Sequence, residues 1–184
     1  MASLNPRMTV EEIICEGAKI NKLFSNRQEM RAAMERMLDL VGLTREHTTR
    51  YPHEFSGGQL QRICIARSLL TNPDLIIADE PISSLDVSIQ AQVLNLLNDL
   101  RRQLGLTILF IAHDLSVVKY FSNRVAVMSR GQIVEMTDSE KLYARPIHPY
   151  ARSLLSAIPI PDPAVEKNRK RIPYNYEQHG YSAA

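Results

Sequence analysis

Glycine is scarce in this chain. Seven are spread over 184 residues, at positions 17, 42, 57, 58, 105, 131 and 180, and none is followed by lysine. These residues therefore contain no G-x-x-x-x-G-K-[ST] loop, whose backbone N–H groups and lysine would cradle phosphates. Cysteine is scarcer still: Cys15 and Cys64 form neither a C-x-x-C pair nor a metal-ligand spacing with the five histidines. That argues against a disulfide scaffold or zinc site and for a reducing, cytosolic setting. Long apolar runs are missing too. The longest, "LTILFIA" at 106–112, falls far short of the roughly 20 residues a membrane span needs, and the N-terminus lacks a signal peptide's apolar core. Any membrane association would be peripheral. Nor does one sign of charge dominate: 22 Lys and Arg face 20 Asp and Glu, too even a balance for a general nucleic-acid field.

What is present is a patterned chain with 45% hydrophobic residues, enough to build a core. The first fifty residues read as helical. Thr9 and Glu12 have the spacing of a capping box before "VEEIICEGAKI", and "RQEMRAAMERMLDLVGL" is rich in helix formers and ends at Gly42. From Phe55 the pattern turns to helix, strand, helix, strand, the alternation of a parallel sheet with crossover helices. The first of these helices carries Leu60, Ile63, Cys64, Arg67 and Leu70 as a stripe, and "NPD" breaks it. "LIIADE" (75–80) and "LTILFIAHD" (106–114) are expected to be buried strands ending in polar pairs. Between them a helix is expected to bury Ile89, Val93, Leu96, Leu97, Leu100 and Leu104 and to close at Gly105. A short helix around Val117 and Val118 precedes "RVAVMSRGQIVEM", a hairpin turning at Arg130 and Gly131. From Pro159 the chain is rich in proline and charge without periodicity, which predicts disorder.

Several stretches carry candidate chemistry. Ser56 and Gln59 stand as S-x-x-Q around Gly57 and Gly58, so a reciprocal cap would leave a first helical turn without side chains, its backbone N–H groups at the positive end of the helix dipole. Alone, the same four residues read equally as a plain capped helix. Asp79 and Glu80 end a strand, where an aspartate can hold Mg²⁺ through water and a glutamate can activate an attacking water; alone, they are also a solvated acidic pair. Asp86, after Ser83 and Ser84, can simply cap the helix that begins near Val87, and His113 can be an ordinary edge histidine. The ordered series is harder to explain as coincidence.

"FSGGQ", "LIIADE", "SSLD" and "IAHD" resemble, in order, the signature, Walker B, D-loop and switch-histidine motifs of the ATP-binding-cassette ATPases, with Phe55 where leucine is commoner. "ASLNPRMTV" and "RPIHPYARSLLSAIPIPDP" are similar to stretches of the ATPase subunits of bacterial oligopeptide and dipeptide importers. The resemblance implies an α/β fold: part of a P-loop NTPase core, with a helical subdomain at 1–54, the catalytic half at 55–136, a peptide-importer extension at 137–163 and a disordered tail at 164–184.

It also implies ATP and Mg²⁺ as ligands and ATP hydrolysis as the activity. Glu80 would act on the attacking water, His113 would touch the γ-phosphate, and Asp79 would serve the metal. Ser56, Gly57, Gly58 and Gln59 would reach the nucleotide of a second cassette, with Ser84 and Asp86 coupling the two sites. The implied partners are that second ATPase subunit, of the same or a different kind, transmembrane permease subunits and, indirectly, an extracytoplasmic peptide-binding protein, with no nucleic acid. The implied location is the cytoplasmic face of the plasma membrane. Because the family's phosphate loop and its metal-contacting glutamine precede "ASLNP", the chain is expected to be an N-terminally truncated cassette with an unpaired strand edge, marginally stable alone. A non-catalytic remnant that only lends its signature helix to a partner is the alternative. A DNA-repair or translation ATPase of the same superfamily would share the signature and D-E motifs but not the two flanking stretches.

Overall fold

The computed structural model describes residues 4–159, 162, 166–167 and 170–175. They pack as two compact units that divide between Ile111 and Ala112. The division falls between the second strand and His113, inside the stretch expected to form the catalytic half.

In the first unit, helix α1 (Val10–Ile20) starts at the predicted capping box: the Thr9 N–H donates to Glu12 Oε2 at 2.8 Å, and the Glu12 N–H returns to Thr9 Oγ1 at 3.3 Å. These bonds, the backbone one first, hold the Glu12 carboxyl below the usual range. Helix α2 (Arg27–Leu40) stops where expected. Gly42 takes a φ of 71°, its N–H donates to Asp39 O and the Leu43 N–H to Leu38 O, the paired bonds of a Schellman turn. Arg62 then lays its guanidinium on that helix end, Nη1 to Val41 O at 2.6 Å, where a cation also complements the helix dipole.

Helix α3 (Gly57–Leu69) packs against α1 and α2 on one side and against α4 (Val87–Leu104) on another. It is therefore buried more widely than the predicted stripe. Ile63 and Leu70 are buried as expected and Leu60, Cys64 and Arg67 only half-buried, while Ile65, Ala66 and Leu69 join the core because helices contact α3 from more than one direction. Ile13, Ile14, Met34, Leu38 and Ile63 are fully buried side chains of this cluster, each contributing roughly 1.5–3 kcal/mol. Cys15 lies among them, and burial pushes its thiol above the ordinary value. No helix among the described residues is long and apolar enough to cross a membrane.

Strands β1 (Leu75–Asp79) and β2 (Thr107–Ile111) pair in parallel, Leu75 opposite Thr107 through Asp79 opposite Ile111. Here the expectation of buried strands is corrected. Among the described residues this sheet has two strands, and one face, with Leu75, Ile77, Leu109 and Ile111, is exposed; Ile77 is 63% accessible. An apolar run states what can be buried, whereas coverage depends on what packs there. Helix α4 is corrected likewise. Val93, Leu94, Leu97 and Leu100 are buried, Ile89 and Leu96 half-buried, and Leu104, in the last turn before Gly105 (φ 67°), is exposed.

In the second unit, α5 (Leu115–Phe121) leads into a hairpin of β3 (Arg124–Ser129) and β4 (Gln132–Asp138). Its two-residue turn has φ 49° at Arg130 and 79° at Gly131, the left-handed pair of a type I′ turn. A bulge at Val134, between the pairs Val127–Glu135 and Met128–Ile133, leaves Val134 and Glu135 both half-buried. Helices α6 (Ser139–Ala144) and α7 (Pro149–Ser156) close the core, in which Val118, Val125, Val127, Leu142 and Ala151 are buried. Glu135 joins hairpin to α7: its carboxylate accepts the N–H groups of Ile147 (3.0 Å) and His148 (2.8 Å) at the start of the helix. The expected disordered tail lies largely outside the described residues. Of those described, Ile172 donates its N–H to Ser156 Oγ at 2.9 Å, and Tyr174 meets Tyr150 edge-on.

Candidate functional site

Ser56 caps α3 as its spacing predicts. Its N–H donates to Gln59 Oε1 at 3.0 Å, and the Gln59 N–H reaches Ser56 Oγ at 3.4 Å. The exchange satisfies one of the N–H groups that the start of every α-helix leaves without an intrahelical acceptor. Ser56 is exposed, Gly57 and Gln59 are half-buried and Gly58 is buried. The burial of Gly58 has a specific cause. A Cβ built on it would stand 2.5 Å from Ile89 Cγ2, and one on Gly57 would stand 3.1 Å from Leu85 Cδ2. The glycines therefore serve close packing against the loop and helix that follow β1 as well as presenting bare backbone at the helix start, a second role that their spacing alone does not disclose.

That loop is held from several directions. Asp86 caps α4 through Oδ1, which accepts from the Ile89 N–H at 3.1 Å and the Ser88 hydroxyl at 2.7 Å; these bonds, the serine's first, hold the carboxyl below the ordinary aspartate range. Gln90 donates from Nε2 to both Ile82 O (3.1 Å) and Leu85 O (3.0 Å), closing the loop from behind. Gln90 is missed by sequence reasoning, as is the packing on the glycines of Leu85, read only as part of "SSLD", and of Ile89, expected only as a core residue of α4. The signal was there for Gln90 alone: an amide one helical turn beyond the cap lies beside the carbonyls of the preceding loop. Ser84 is exposed on this loop beside Asp86.

Asp79 and Glu80 are exposed at the C-terminal end of β1. The Glu80 N–H continues the sheet, donating to Ile111 O at 2.9 Å, yet its φ is 44°, in the left-handed region that a non-glycine residue rarely occupies. Lys22, Asn72 and Arg130 take similar angles in turns of the same chain, so what distinguishes Glu80 is its place at the end of a parallel strand. Ser83 supports it by donating backbone N–H and hydroxyl to Glu80 O. The structure thus brings Ser56, Gly57 and Gly58 together with the Asp86 loop, and places Asp79 and Glu80 at the strand end of the same unit. His113 belongs to the second unit, exposed beside Asp114, whose Oδ1 caps α5 by accepting from Ser116 (2.8 Å) and Val117 (3.3 Å).

The donor set also bears on the metal. No group of three or more His, Cys, Asp or Glu residues among those described could hold an ion. A single exposed carboxylate such as Asp79 fits the way Mg²⁺ is bound when phosphates and waters supply most of its ligands.

Comparison with known proteins gives a consistent picture. Residues 1–83 match the family described as ABC transporter, and residues 134–180 match the oligopeptide/dipeptide transporter C-terminal region. The chain is 58% identical over 178 residues to an oligopeptide transport ATP-binding protein, OppF, of Bacillus subtilis (strain 168), covering 97% of this chain and 58% of the relative. It is 56% identical over 180 residues to the oligopeptide transport ATP-binding protein AmiF of Streptococcus pneumoniae, covering 98% and 58%. The chain thus spans less than two thirds of the length of these relatives. Among solved structures, cbiO1 from Clostridium perfringens, part of the ABC transporter complex cbiONQ, superposes with a TM-score of 0.66 at 26% identity, over 75% of this chain and 54% of that one. Residues 1–83 and 134–180 are matched in one chain, and with the capped glycine helix, the D-E strand end and the Asp86 loop on one scaffold, the chain is similar to the ATP-binding-cassette ATPases of the group that carries the oligopeptide/dipeptide transporter C-terminal region.

Proposed function

We propose that this chain carries the signature, Walker B, D-loop and switch-histidine portion of an ATP-hydrolysing subunit that drives oligopeptide or dipeptide import. The observation that carries the reading is the glycine-headed, reciprocally capped start of α3 with the Asp86 loop packed on it. A helix start of this kind favours an anion through its unpaired N–H groups and the helix dipole, equivalent to about half a positive charge. On the family resemblance, the phosphate that Ser56, Gly57 and Gly58 would meet is one held by a second ATPase subunit.

Within the chain's own site, Glu80 would orient and deprotonate the attacking water. The turn that carries it is pinned to β2 through its N–H and to Ser83 through its carbonyl, which limits reorganisation during reaction. Asp79 would hold Mg²⁺ through water, and the ion would neutralise charge on the transferring phosphate. His113 would donate to that phosphate, and Ser84 and Asp86 would link the paired sites. The relatives' names support oligopeptide transport, and permease subunits at the cytoplasmic membrane face, fed by an external peptide-binding protein, complete the proposed assembly.

The test is Glu80→Gln in a subunit that joins these residues to a phosphate loop. Steady-state hydrolysis should fall by about two to four orders of magnitude while ATP is retained. Undiminished turnover would remove Glu80 from the role.

A further inference from the structure

The switch histidine is followed by a helix start that is anchored from outside. Tyr143, on α6, donates its hydroxyl to the backbone carbonyl of Leu115, the first residue of α5 and two positions after His113. The ring is half-buried against the cluster of Val118, Val125, Val127, Leu142 and Ala151, and Lys119 Nζ sits 5.4 Å from its centroid. Burial first, and the negative charge of Asp114 second, push the Tyr143 phenol above its ordinary value, keeping it a donor. From the other side Asp114 caps the same turn through Ser116 and Val117. The segment that leaves His113 is thus fixed at two points, one local and one from a helix far along the chain.

We propose that Tyr143 is a positioning residue: through Leu115 it sets the backbone from which His113 reaches out, so that the segment after the hairpin is part of the switch rather than an appendage. Cap and tether divide the work. Asp114 orients the N–H groups of the turn, and Tyr143 fixes its carbonyl side, so that α5 cannot rotate without breaking a half-buried hydrogen bond. The functional weight of the contact rests on reading His113 as a phosphate contact, whereas the contact itself can be tested without nucleotide.

Tyr143→Phe keeps the ring and its packing and removes only the donor. In the isotopically labelled 184-residue chain, amide exchange at Ser116 to Lys119 should quicken by about tenfold, and the His113 ring resonances should shift, with the rest of the spectrum in place. Unchanged exchange and unchanged His113 signals would overturn the proposal. Global loss of structure would overturn it as well, since Tyr143 would then be packing support. In the ATPase assembled with a phosphate loop, the same variant should lower kcat by about tenfold and leave the KM for ATP within about twofold. An unchanged kcat would refute the positioning role. Absence of turnover from the unsubstituted ATPase would instead refute the functional reading, which keeps the two failures apart.

Discussion

Adding one methyl group at Gly58 separates two explanations of the signature glycines. If Gly58 is glycine only to expose backbone, Gly58→Ala removes conformational freedom from the unfolded chain and raises helix propensity, and so stabilises by up to about 1 kcal/mol. The structure predicts the opposite sign. The new Cβ would lie 2.5 Å from Ile89 Cγ2, against the roughly 3.5–4.0 Å that two carbons prefer, so α3 or α4 must give way by about 1 Å. Overpacking of that order costs typically about 1–3 kcal/mol, leaving a net destabilisation of about 1–2 kcal/mol. Ile89→Ala removes the offending Cγ2 and leaves Ile89 Cβ 3.9 Å away, an ordinary contact. The half-buried isoleucine makes that single change cost about 1–2 kcal/mol, below the full burial range. With Ile89→Ala in place, Gly58→Ala should become neutral or stabilising, giving a coupling of about 1–3 kcal/mol between the positions. Urea unfolding of the four chains, compared at constant m, measures it. A stabilising Gly58→Ala, or effects that add within about 0.5 kcal/mol, would refute the packing account.

Other consequences are as direct. Gly57→Ala should be milder than Gly58→Ala, since its Cβ meets only the end of the Leu85 side chain at 3.1 Å; equal losses in thermal unfolding would contradict this. Glu135→Ala removes an acceptor shared by Ile147 and His148 and should cost about 2–3 kcal/mol, with faster amide exchange at those two residues as its local mark. Asp86 contributes with a definite pH sign. Its folded-state carboxyl is lowered, so the stability it adds is present above the ordinary carboxylate range and lost as pH falls through the lowered value, and the Asp86→Ala deficit should shrink on acidification. Ile77→Lys, on the exposed face of β1, should change stability by less than about 0.5 kcal/mol and reduce self-association in light scattering; a large stability loss would mean that this face is covered.

Much of the local structure was legible because its causes are local. The Thr9–Glu12 and Ser56–Gln59 boxes, the stops at Gly42 and Gly105 and the Arg130–Gly131 turn each depend on residues within a few positions, and each forms where its spacing placed it. Burial was less legible because it depends on distant partners. The stripe on α3 underestimates a helix contacted from several sides, and the runs in β1 and β2 overstate burial on a face that nothing described covers. The site divided in the same way. The motifs name the proposed site residues and the position of Gln90 after the cap hints at its contact with the loop, but Tyr143, which anchors the start of α5, makes a contact set by folding alone.

The burial of Gly58 bears on how two subunits could share a site. A glycine kept for phosphate alone would leave α3 free to move independently of the loop behind it. With Ile89 filling the space that a side chain on Gly58 would take, the start of α3 and the start of α4 pack with no room between them for a methyl group, and Asp86 accepts the N–H of that same Ile89. Gln90 ties the loop back to Ile82 and Leu85, and Leu85 closes on Gly57. Displacement of the helix start by a phosphate on a partner would therefore be transmitted to Asp86 without any intervening flexible segment, since close-packed contacts transmit strain rather than absorb it. On the proposed function, coupling between paired sites would then require no element beyond these ten or so residues. Substituting Ile89 by alanine would loosen the link and leave each group's own chemistry intact, so it should uncouple the two sites more than it weakens either one.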